Sequence, residues 1–136
     1  MSADYNYDTS NPFGEQLAYD LRVIYAKIVG EHLEDVAEAR RADNYSAYYN
    51  SLKDLFTIIR HKFKKPKEDM PKYKELIKEA ITIANKYPDA FLGKVGNDSQ
   101  EAAEVEDSLR AIEMFLYDKM NDANMFGSKR ETEGLV

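Results

Sequence analysis

Apolar residues return every three or four positions along most of this chain, and that period admits little besides helix. Phe13, Leu17, Leu21, Ile24 and Ile28 follow one another at spacings of four, four, three and four. Such a set forms one stripe on a helix of 3.6 residues per turn, whereas a strand would scatter it over both faces. Ser10 and Asn11 are good N-cap residues and Pro12 suits the first helical position, so a first helix is expected over 12–40. Tyr25, Val29, His32 and Val36 continue the stripe with a sideways drift.

Three more segments repeat the pattern. The second, over 44–64 with Asp43 as its cap, carries Tyr45, Tyr48, Leu52, Leu55, Ile59 and Phe63, widened by Tyr49 and Phe56. The third, over 71–87, opens at Pro71 and stops before Pro88, because proline disfavours helix in the residue preceding it. Its shared face is Tyr73, Leu76, Ile77, Ala80, Ile81, Ala84 and Tyr87. The fourth, over 99–126, pairs Asp98 with Glu101 in a capping-box arrangement and ends before Gly127, at the position of a left-handed cap. Ala102, Val105, Leu109, Ile112, Leu116, Met120 and Ala123 form its stripe.

Four amphipathic helices with modest connections predict an all-α fold, an up-down-up-down four-helix bundle. The bundle is expected over 12–126 as a single domain, between a flexible N-terminal arm (1–11) and a flexible C-terminal tail (127–136). The longest internal connection is PDAFLGKVGN, 88–97. Phe91, Leu92 and Val95 make it apolar enough to pack over one end of the bundle.

The chain has no Cys, which excludes disulfides, thiolate metal sites and a Cys nucleophile. Its first residues, MSADYNYDTSN, lack the basic and apolar regions of a signal peptide, and no apolar run reaches the roughly 18 residues of a membrane span. A cytoplasmic protein with no membrane partner is expected.

Charge is unevenly distributed. The net charge is −6, yet RHKFKKPKEDMPKYK, 60–74, sets Arg60, Lys62, Lys64, Lys65, Lys67, Lys72 and Lys74 against Glu68 and Asp69, a local +5. Lys62 to Lys65 suit the negative end of the second helix dipole. Lys72 and Lys74 stand at the wrong end of a helix that starts at Pro71, so the dipole does not explain them. The pole is therefore a candidate docking site for an acidic protein partner. It is also a candidate for nucleic acid, with Phe63 and Tyr73 interleaved to stack on bases. An acidic chain argues against the second.

His32 and Asp35 are the candidate metal ligands. Asp35 returns to the angle of Leu17, where a buried carboxylate needs a partner. His61 falls roughly 13 Å farther along the hairpin axis than His32 and cannot share a metal with it. The Glu-x-x-His pairs of di-iron bundles are missing, since Val29 and Ile58 stand three residues before the histidines. There is no phosphate-binding glycine loop, dinucleotide fingerprint or nucleophile elbow. No cofactor, no resident metal and no enzyme activity are expected.

Tyrosine occurs 10 times, more than one small core face accommodates. Tyr45, Tyr48 and Tyr49 bunch at the start of the second helix, and Tyr5 and Tyr7 lie in the arm. These five are the candidate partner-interface residues, because tyrosine is enriched where proteins meet. The leading expectation is a non-enzymatic interaction or structural assembly protein that associates with itself as a homo-oligomer. A virus, a mobile element or a multiprotein assembly would use such a chain. A nucleic-acid-binding accessory protein using 60–74 comes second, and a metal-dependent enzyme at His32 and Asp35 third.

Overall fold

A computed structural model describes residues 12–123 and Met125. These form five α-helices, α1 (Pro12–Arg41), α2 (Tyr45–Ile59), α3 (Pro66–Lys86), α4 (Pro88–Phe91) and α5 (Gln100–Asp122), with a 3-10 turn at Arg60–Lys62. No strand occurs among the described residues, so the fold is all-α. The proposed caps Ser10, Asn11 and Gly127, the arm with Tyr5 and Tyr7, and the tail 127–136 lie outside the described residues.

The sequence called for four helices; the additional one, α4, is a single turn inside the 88–97 connection. Pro88 occupies its first position, where the fixed φ favours a helical start. Ala90 is fully buried, and Phe91 meets Tyr49 edge-on at 6.1 Å. Asn97 donates to Asp43 at 2.6 Å, which ties the connection to the turn between α1 and α2.

Several boundaries differ from the expected ones: α2 stops at Ile59 rather than 64, where the 3-10 turn takes over and Phe63 turns extended, and α5 stops at Asp122 rather than 126. Asp43 was expected to cap α2. It instead ends α1, with φ of 53° and paired bonds from Asp43 N to Arg40 O and Asn44 N to Ala39 O. This is the Schellman arrangement, in which a left-handed residue satisfies the last carbonyls. Asn44 caps α2, its side chain accepting from Ala47 N. Likewise Ser99, not Asp98, caps α5, accepting from Ala102 N. The start of α3 shifts too: it begins at Pro66 and passes through Pro71. Pro66 holds the first position, Glu68 and Asp69 supply negative charge to the first turn, and the loss at Pro71 is the one backbone bond to Lys67.

α1 packs against α2, α2 and α3 both pack against α5, and α4 fits among α2, α3 and α5. The α2 and α5 stripes are the core: Tyr45, Tyr48, Leu52, Leu55 and Ile59 face Val105, Leu109, Ile112, Leu116 and Met120, all of them buried. Burying each large apolar side chain contributes roughly 1.5–3 kcal/mol before entropy is counted. An aromatic cluster joins α2 to α3 and α5. Phe56 stacks on Tyr73 at 3.7 Å, and Phe63 meets Phe115 edge-on at 6.1 Å.

α1 does not bury the stripe the sequence emphasised. Its buried residues are Val29, Val36 and Ala39, with Tyr25 and Leu33 packed beside them. Ile24 is 53% exposed and Ile28 41%. The drifting residues are thus the core face, while Ile24 and Ile28 of the regular stripe stay exposed and Leu21 is half-buried. No helix among the described residues is long and apolar enough to cross a membrane.

Candidate functional site

The outer face of α1 follows from the unequal lengths of α1 and α2. α1 has 30 residues and α2 has 15. The Tyr25 hydroxyl donates to the carbonyl of Ile58, one residue before α2 ends. Lys62 of the 3-10 turn lies 5.6 Å over the Tyr25 ring. Residues 12–24 therefore extend past the end of α2, a helical overhang of roughly 20 Å at 1.5 Å per residue. Ile24 and Ile28 are exposed where this overhang meets the body, and Leu21 and Val23 are half-buried. Exposed Asp20 and Lys27 border the stripe, and Gln16 donates to Asp20 at 2.8 Å. Scattered exposed leucines and isoleucines are ordinary; Ile24 and Ile28 are exposed four residues apart, on one face of α1.

The basic pole gathers only part of its charge. Lys64, Lys65 and Lys72 line a cavity of about 310 Å³ together with Glu68, Asp69, Lys119 and Asp122. Lys119 pairs with buried Asp69 at 3.1 Å and lies 3.9 Å from Asp122. Four ammonium groups thus share the hollow with three carboxylates. Arg60, Lys62, Lys67 and Lys74 are exposed outside it. Because α3 starts at Pro66, Lys72 and Lys74 lie beyond its first turn, and the dipole conflict passes to Lys65 at its N-cap and Lys67 in its first turn. Phe63 and Tyr73 are buried in the aromatic cluster. Their rings pack on Phe56 and Phe115 and present no open face to a base.

The tyrosines divide in the same way. Tyr45 and Tyr48 are core residues. Tyr49 is half-buried and lines a groove of about 300 Å³ with Asn50, Ile81, Asn85 and Phe91. Of the tyrosines proposed for a partner interface, Tyr49 lines this groove, while Tyr45 and Tyr48 are buried.

A polar cluster that the sequence reading missed lies between α1, α2 and α5. Glu113 is buried, accepts from the Tyr48 hydroxyl, and takes two bonds from Arg40 Nη1 at 3.1 and 3.0 Å. Glu113 holds the Arg40 guanidinium in its charged form, raising its pKa. Burial, then the Glu113 carboxylate, pushes the Tyr48 hydroxyl well above the ordinary range. The same two causes raise Tyr117 to about 12. The signal was present, since residue 113 falls on the stripe between Leu109 and Leu116 and a carboxylate there demands a partner. The cluster's donors and acceptors satisfy one another, and neither hollow is lined by Glu113. It fixes the relation of three helices.

The suspected ligand pair does not assemble. Asp35 is exposed, His32 is half-buried and His61 is exposed in the 3-10 turn. Among the described residues no three His, Asp or Glu side chains form a group that could hold a metal ion.

No family model matches the chain, and no curated protein or solved structure matches it.

Proposed function

We propose that this chain is a non-enzymatic interaction or structural assembly protein whose first partner is itself. The observation that carries the reading is the exposure of Ile24 and Ile28 on an overhanging helix. Exposed apolar side chains one helical turn apart gain free energy by being covered, roughly 25 cal/mol for each Å² removed from water. The reading takes α1, α2, α3 and α5 as an up-down-up-down four-helix bundle. Three contacts support that course: Tyr25 against Ile58, Phe56 against Tyr73, and Asp69 against Lys119. The self-satisfied Glu113 cluster supports a rigid body that presents α1.

Sedimentation equilibrium tests the reading. The wild type is expected to form a defined oligomer, and Ile24→Asp is expected to be monomeric with an unchanged far-ultraviolet circular dichroism spectrum. A wild type that sediments as a monomer at every concentration overturns self-association.

A further inference from the structure

The spacing on α1 defines a register as well as a stripe. Residues 17, 21, 24 and 28 follow at four, three and four, the alternating d and a positions of a coiled-coil seam. Glu31 and Asp35 take the next d and a positions, and both are exposed, which ends the seam. In this register Asp20 and Lys27 both fall at g. Tyr25 and His32 fall at e, on the side turned toward the body.

Charge at e and g decides how two such helices align. In a parallel pair a g residue faces the e position five residues later in the other copy. Asp20 would then face Tyr25 and Lys27 would face His32, so neither gains an opposite charge. In an antiparallel pair g faces g. Asp20 of each copy then faces Lys27 of the other, giving two symmetric ion pairs. The four apolar layers are position 17 against 28, 21 against 24, 24 against 21 and 28 against 17.

We propose that the outer face of α1 is covered by α1 of a second copy, running antiparallel about a two-fold axis that passes between residues 22 and 23. This deepens the self-association reading and rests on it. The arrangement accounts for the overhang. Residues 12–20 of each copy lie level with residues 25–33 of the other, so each projecting helix is flanked by its neighbour's body. Both interfaces are the same patch, so the assembly closes at two copies and leaves no unsatisfied end to propagate.

The absence of cysteine makes the direction measurable, because any introduced thiol is the only one. In the antiparallel pair Leu17→Cys and Ile28→Cys chains, mixed and oxidised, yield the mixed disulfide. Ile28→Cys alone does not crosslink, since the two copies of residue 28 lie 11 positions apart, roughly 16 Å along the axis and beyond disulfide reach. Asp20→Lys and Lys27→Asp are each expected to weaken the full-length dimer about tenfold by sedimentation equilibrium, and the double variant is expected to restore it. Ready Ile28→Cys homodimers, or a double variant no better than the singles, overturn the antiparallel pair while leaving self-association in place. A dimer that survives Ile24→Asp moves the interface off α1 and overturns this proposal alone. A wild type that is always monomeric overturns both.

Discussion

Arg40 and Glu113 make one ion pair, yet removing either partner should not cost the same. The Arg40 side chain is 39% exposed and that of Glu113 only 4%. Arg40→Met leaves a buried carboxylate facing only Tyr48 and Tyr117, which should cost about 3 kcal/mol. Glu113→Gln keeps an acceptor for Tyr48 and leaves Arg40 a route to water, and should cost about 1 kcal/mol. Urea midpoints of the two variants measure the difference, and the reverse order would mean that the cluster is held mainly through Arg40's packing. Buried tyrosines, two of them beside Glu113, set the alkaline limit. Burial raises the Tyr25 and Tyr117 hydroxyls to about 12 from 10.0, and Tyr48 and Tyr73 are raised as well. Above pH 10 the unfolded chain releases these protons and the folded chain keeps them, so the unfolded state binds fewer. Stability is therefore full below about pH 10 and declines as pH rises toward 12. Tyrosinate absorbance should show the buried set ionising together with the loss of helical circular dichroism. At this scale the sequence was partly legible. Asp35 and Glu113 both fell on apolar stripes, and only the course of the helices decides that the first is exposed and the second paired.

Helix identity was readable from periodicity and helix ends were not. The starts of α2 and α5 are decided by which of two adjacent polar residues reaches the backbone, a matter of one rotamer. Ser99 accepts from Ala102 N at 3.1 Å, while Asp98 stands one position too early. Ser99→Ala should therefore cost about 1 kcal/mol and Asp98→Ala a few tenths. Chemical denaturation of both variants checks this, and equal losses would return Asp98 to the capping role. The start of α3 was hidden for a different reason. Two prolines stand five residues apart, and either one suits a first helical position. The acidic Glu68 and Asp69 between them favour the earlier start, because they complement a helix that begins at Pro66. Pro71 is tolerated inside because it forfeits a single bond near the end of the helix, and Tyr73 two residues on is anchored by stacking on Phe56.

At the scale of the whole molecule the all-α class follows from four periodic segments, but the face α1 turns inward could not be read from them. Two stripes wind around that helix. Ile24 and Ile28 of the more regular one are exposed, because α2 meets the drifting set, Val29 and Val36. The same geometry links stability to concentration. If two copies associate through the outer face of α1, folding and association are coupled, and the association free energy adds to the unfolding free energy of each chain. The thermal midpoint of the wild type should then climb with protein concentration, by an amount set by how far the concentration exceeds the dimer dissociation constant. Ile24→Asp removes that dependence. Ile24 is 53% exposed in the single chain, so the variant should match the wild type's midpoint at the lowest concentrations and fall behind it at the highest. Differential scanning calorimetry over a dilution series reads both curves. Parallel curves displaced at all concentrations would place Ile24 in the stability of the monomer itself. Curves that converge on dilution would place it between two molecules.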